Sequence, residues 1–326
     1  MKKRVKVIQL LRVISCISVF GVHMGQRLGL GGMLRKVTDL GMYGPYVFFM
    51  ISGFVAFFSV EEKEQFNNRN YYIERLLKIL PLYYFVILYN FVLHTFFLKD
   101  IPTDPSGLYW ARYIFFLNRI IPVEENFWSN LSAVWSLSSF MLFYLLFPLL
   151  AKYINGLFSV ILVWLLTICL RVLSIPHINL EPVVMLKYFL FGGVIFYLWK
   201  RKDKKLQISM LMMSLCILYY LYTKHLDAWI VVFVAGISIL IGSEITIENK
   251  LFDRIISLMD EYSYSIYLIH ALFIEAIDRY KEHTTNPNWK VMALLVGLFG
   301  TIVGSVIVHN IIEKPIQRYV RKRVQL

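Results

Sequence analysis

A chain of 326 residues that is 58% hydrophobic and 17% charged, with a mean hydropathy of +0.60, has too few polar side chains to cover a soluble domain of its size. Its apolar runs are continuous rather than alternating, which excludes a membrane β-barrel and predicts an all-α polytopic membrane helix bundle. The net charge of +13 is dispersed over short connections and the two ends, a pattern of membrane topology and anionic headgroups rather than of a nucleic-acid groove.

Hydropathy predicts about ten transmembrane helices, at residues 7–24, 46–60, 80–97, 131–150, 157–174, 183–199, 208–222, 228–242, 264–277 and 291–311, with the ninth short. If the N-terminus is cytoplasmic, the inner connections hold about twice as many Lys and Arg as the outer ones, so both termini are expected to be cytoplasmic. The basic loop "WKRKDKK" falls inside on this alternation. The N-terminal "MKKRVK" leads into a retained first helix, because no small-residue cleavage site follows and Arg12 interrupts the apolar core. The whole chain, 1–326, is expected to form one membrane domain.

In the first span, "LLRVISCISVFGVHMGQ", Arg12 and His23 stand eleven positions apart. Three helical turns leave about 20° between them, so they share a face, roughly 16 Å apart along the axis. A charged Arg facing lipid is costly, so that face is expected to line a protein or water-filled interior. The second span, "GPYVFFMISGFVAFF", carries Ser52-Gly53, which suits close helix packing or a polar group on a cavity wall. The third opens on "YYIERLLKILPLYYF", where Arg75 and Lys78 project from one face near the inner boundary. Positive-inside anchoring accounts for that pair alone; phosphate binding is the functional alternative.

The outer connection after Lys99 contains "LYWARYIFFLNRII", too short to span and read as an interfacial or re-entrant helix with Trp110 and Trp128 at headgroup level. The fourth span, "AVWSLSSFMLFYLLFPLL", gathers Trp135, Ser136 and Ser138 near its outer end. In the ninth, "EYSYSIYLIHALF", Ser263, Tyr267 and His270 form a polar stripe, either interhelical glue or a site wall. In "HNIIEKPIQRYVRKRVQL" Pro315 is expected to stop the tenth helix, with Glu313 at the inner boundary and a basic tail suited to anionic lipids at the cytoplasmic face. Cys16, Cys169 and Cys216 have no metal-site spacing and read as buried small hydrophobes. His94, His177, His225 and His283 receive no role.

Taken in order, "LLRVISCISVFGVH", "FFMISGF", "YYIERLLKILPLYYF", "WSLSSFMLFYLLFPLL", "YSYSIYLIH" and "IIEKP" resemble acyltransferase family three. These are integral membrane acyltransferases, many of which O-acetylate bacterial surface polysaccharides. The resemblance runs from the first helix to the last. It matches the family's basic-residue and His pair to Arg12 and His23, its basic pair to Arg75 and Lys78, and its Tyr/His pattern to Tyr267 and His270. Two acids common in the family are replaced here by Tyr46 and Phe140.

The resemblance implies an O-acyltransferase, acetylating in many members, of the cytoplasmic membrane. The donor would be acetyl-CoA or another acyl-CoA and the acceptor a hydroxyl of a cell-surface or lipid-linked glycan, with no tightly bound cofactor and no metal. Arg12, Arg75 and Lys78 are the expected donor-binding cations and His23 the expected general base. Ser52, Trp135, Ser136, Tyr267, His270 and Glu313 are expected to line the site. The competing reading is a transporter or exporter of a glycan or acylated small molecule, since intramembrane Arg and His also mark substrate pathways. A membrane anchor for partner proteins is a third.

Overall fold

The computed structural model describes residues 6–61, 66–99, 108–121, 134–170, 178–201, 205–223, 225–242, 249–284, 286 and 288–324. Its elements are α1 (Lys6–Arg27), α2 (Gly32–Asp39), α3 (Gly44–Glu61), α4 (Asn68–Val92), α5 (Leu108–Ile114), α6 (Trp135–Tyr153) and α7 (Leu157–Cys169). They continue as α8 (Glu181–Trp199), α9 (Lys205–Thr223), α10 (Ala228–Gly242), α11 (Lys250–His283), α12 (Trp289–Val308) and α13 (Lys314–Val324). Among the described residues there is no sheet, and seven helical segments are long and apolar enough to cross a membrane. Two shorter apolar helices, α7 and α10, stand beside them. Large apolar side chains such as Leu211, Leu218 and Phe299 are exposed along α9 and α12, as a lipid-facing surface requires. This is a multi-pass membrane protein.

Each predicted span coincides with a helix, with several corrections. The ninth lies inside α11, which runs for 34 residues, about 50 Å. Apolar periodicity marks only its middle, because charged residues occupy both ends. Ahead of the second span the chain forms α2 and a short 3-10 turn, Leu40–Tyr43; α2 is amphipathic, with Met33, Leu34 and Val37 exposed. Pro315 does not stop the last helix. The chain widens into a π-turn, His309–Glu313, and Pro315 becomes the second residue of α13. A proline in a helix's first turn forfeits no bond the helix would make, and the wide turn removes its clash with the preceding carbonyls. Cys16 and Cys216 are buried, whereas Cys169 is exposed on α7. Trp128, His177 and the outer start of the fourth span, residues 131–133, lie outside the described residues.

Two helix pairs position the site. The first is α3 against α8, where a Cβ added at Gly53 would fall 1.8 Å from the Phe189 carbonyl oxygen and one at Gly192 2.0 Å from that of Met50. Small residues here let the backbones touch, as lipid-embedded helices lacking a strong hydrophobic drive require. Phe49, Phe143 and Phe189 stack around this crossing, with centroids 4.8 Å apart for Phe49–Phe189 and 4.3 Å for Phe143–Phe189.

The second pair is α1 against α11, running parallel. An ion pair joins Lys6 to Asp253 at one end, and Arg27 Nε lies 2.7 Å from Asp278 Oδ1 at the other. Between them Gln9 Nε2 donates to Asp260 Oδ2 at 3.2 Å and Cys16 Sγ donates to the Ser263 carbonyl at 3.4 Å. The polar face of α1 is therefore turned into the bundle, while Ile14 and Ile17 face outward.

Candidate active site

Residues from five helices line an open cavity. Arg12 reaches it from α1, Ser52 from α3, Arg75 and Lys78 from α4, Ser136 from α6 and Tyr267 from α11. Arg12 is held by Asp260, with Nη1 3.4 Å from Oδ1, and both side chains are mostly shielded. The Arg75 guanidinium carbon lies 5.3 Å from the ring centroids of both Tyr71 and Tyr144, a cation–π cradle that fixes its direction. Lys78 is exposed to the cavity it lines, one turn on from Arg75. None of the described residues lining this cavity is an acid, so three cations meet with Asp260 just behind one of them. That arrangement suits a polyanionic guest.

A second cavity is lined by His23, His270, Trp135, Gln26 and the 3-10 turn residues Gly41 and Met42. Pro45 and Tyr267 line both cavities, so the two share a wall. Tyr267 is pinned there by Ser136, its hydroxyl 2.9 Å from Ser136 Oγ, with Ser136 fully buried. The His23 and His270 ring centroids lie 5.3 Å apart, and those of Tyr267 and His270 5.9 Å.

Arg12 and His23 thus occupy one face of α1, as their spacing predicts, but each opens into a different cavity. Ser263, Tyr267 and His270 form the expected stripe on α11: Ser263 and Tyr267 line the first cavity, Tyr267 and His270 the second. Ser52 faces the first cavity while neighbouring Gly53 makes the α3–α8 crossing. Phe140, at one of the positions where an acid was expected, lines the first cavity, and Tyr46 packs edge-on against Tyr188 with centroids 4.9 Å apart. Glu313 stands apart from both walls: Ser265 Oγ donates to its Oε1 at 2.5 Å, and His309 Nδ1 lies 3.3 Å from its Oε2.

Sequence reasoning did not single out Asp260, Pro45 or Tyr264. Asp260 precedes Tyr267 by two helical turns, so the polar stripe extends one step further than the motif that revealed it. Tyr264 lines the first cavity and donates to the Ile79 carbonyl at 2.8 Å. Trp135 has Arg119 over its ring at 5.8 Å, and Arg119 Nη2 is held 2.6 Å from Glu181 Oε2. His94, given no role from sequence, is fully buried, with Nε2 3.3 Å from Glu275 Oε1, while Arg279 Nη2 reaches the same oxygen at 2.9 Å.

A family model described as an acyltransferase domain matches residues 5–310. The chain is 31% identical over 147 residues to a protein named "Acyltransferase MdmB" from Streptomyces mycarofaciens, and this match covers 43% of this chain and 37% of that protein. The chain thus spans well under two thirds of that relative's length. No solved structure matches it. With nearly all its length inside the family model and apolar helices throughout, the chain belongs to this acyltransferase family and is a multi-pass membrane protein.

Proposed function

We propose that the protein is an O-acyltransferase of the cytoplasmic membrane that moves an acyl group, acetyl in the simplest case, from acyl-coenzyme A to a hydroxyl of a cell-surface or lipid-linked glycan. The observation that carries this reading is the shared wall: a cation-lined cavity adjoins an imidazole-lined one through Pro45 and Tyr267. With the N-terminus in the cytoplasm, Arg12, Arg75 and Lys78 face the inner side and hold the donor's phosphates by charge-assisted hydrogen bonds. The roughly 16 Å between Arg12 and His23 suits an extended pantetheine arm. The thioester then lies near Tyr267, within reach of the second cavity.

His23 is the general base on this reading. Its neutral imidazole takes the acceptor hydroxyl's proton as the oxygen attacks the thioester carbonyl carbon. The carbon–sulfur bond breaks and the thiolate leaves with the proton that His23 returns. On this reading the Tyr267 hydroxyl, on the wall both cavities share, donates to the developing oxyanion. Trp135 offers the acceptor sugar an aromatic face, steadied by Arg119 and Glu181. The basic face of α13 rests on anionic lipid headgroups.

The test is mass spectrometry of surface glycans from a deletion strain complemented with wild type or His23→Ala. A mass loss restored by wild type and not by the variant supports the reading. Unchanged glycans in the deletion strain, together with glycan flux in liposomes lacking any acyl donor, overturn it in favour of transport.

A further inference from the structure

The two ring nitrogens of His270 have different surroundings. Nδ1 lies 3.2 Å from the carbonyl oxygen of Ile266, one turn back on α11. A carbonyl only accepts, so Nδ1 carries the proton. In the neutral ring Nε2 is then a bare acceptor, and that atom is buried with no hydrogen-bond partner among the described residues, on a residue 1% exposed. An unpaired buried acceptor costs about 1–3 kcal/mol, so such an atom in a native structure calls for an explanation, a catalytic role among them. His270 lines the second cavity, and its ring centroid is 5.3 Å from that of His23 with 31° between the planes. A nitrogen–nitrogen hydrogen bond of about 2.9 Å between the facing edges of two imidazoles puts their centroids about 5 Å apart. The bond is therefore within reach of a rotation of the His23 ring.

A base of this kind needs an orienting partner that holds one of its nitrogens protonated and leaves the other free. None of the described residues lining the second cavity is an acid, so among them no carboxylate fills that place. We propose that His270 is the positioning residue for the catalytic imidazole: its Nε2 accepts the N–H of His23 and so fixes which His23 nitrogen keeps the lone pair. This rests on His23 being the general base and adds to it a chain of three groups, the Ile266 carbonyl, His270 and His23. During transfer the hydroxyl proton moves to the free nitrogen of His23 and later to the departing thiolate. His270 exchanges no proton with substrate, and its hydrogen bond strengthens while His23 is charged.

The test uses full-length protein in lipid nanodiscs with ring-15N-labelled histidine. In the wild type His270 shows a protonated Nδ1 and a bare Nε2, and His23 a single tautomer. His270→Gln, whose amide oxygen can replace Nε2 as acceptor, keeps the His23 tautomer, whereas His270→Phe gives a mixture. In parallel, transfer of label from [14C]acetyl-coenzyme A into membranes holding each variant falls about 100-fold in kcat for His270→Phe and less than tenfold for His270→Gln, with KM for the donor unchanged. A proton on Nε2 of wild-type His270, an unaltered His23 tautomer in His270→Phe, or a His270→Gln variant as inactive as His270→Phe each overturns the proposal. Full transfer by His23→Ala would instead remove the underlying reading of His23 as base. His23→Ala inactive with His270→Phe fully active sinks only the positioning role.

Discussion

Replacing Arg75 with Met tests the contribution of one cation to the proposed donor binding. Arg75 lines the first cavity and rests between the rings of Tyr71 and Tyr144, each centroid 5.3 Å from its guanidinium carbon. It has no carboxylate partner among the described residues, so removing it breaks no ion pair there and leaves no described acid unpaired. The loss on binding is one charge-assisted contact to phosphate, about 1.5–3 kcal/mol, or roughly a 10- to 150-fold weaker affinity. Arg12 and Lys78 still supply positive potential, so binding weakens rather than disappears. Arg75→Lys should recover part of it, because an ammonium keeps the charge but not the planar fork or the stacking. Isothermal titration of the detergent-solubilised protein with coenzyme A measures this without any acceptor. Pantetheine, which has the same thiol arm and no phosphate, provides the reference. The wild type should prefer coenzyme A by a margin that shrinks with added salt and collapses in Arg75→Met. Equal coenzyme A affinity in wild type and Arg75→Met, or equal affinity of the wild type for both ligands, would refute the cation cluster as a phosphate site.

Four further substitutions probe the base, the helix crossing and the shared wall. His23→Ala should lower acyl transfer by about 10²–10⁴-fold while the protein still inserts and elutes as a single species on size exclusion. Gly53→Val should prevent normal assembly, since a Cβ there meets the Phe189 carbonyl oxygen at 1.8 Å. A loss of more than about 3 kcal/mol is expected, visible as aggregation or a lowered Tm, while Ser52→Ala alongside it should leave the Tm near wild type. Tyr267→Phe removes the 2.9 Å hydrogen bond to buried Ser136. Stability should fall by about 1–2 kcal/mol, and kcat should fall more than KM rises if the hydroxyl also meets the oxyanion.

Much of this protein follows from local sequence alone. Continuous apolar runs dictate helices, because a chain in lipid must satisfy its own backbone, and the helical period puts Arg12 and His23 on one face of α1. The same period aligns Ser263, Tyr267 and His270 on α11. What local pattern cannot carry is the identity of the partner across a helix interface. Asp260 behind Arg12, the aromatic cradle around Arg75 and the wall at Pro45 and Tyr267 join residues distant in sequence, and only packing brings them together. Pro315 shows the converse: its residue type predicts an end, yet the preceding π-turn absorbs it and the helix continues. Sequence determined which side chains are too polar to face lipid; the tertiary structure alone decided that they divide between two adjoining cavities, because contact between helices depends on their crossing rather than on any one helix's periodicity.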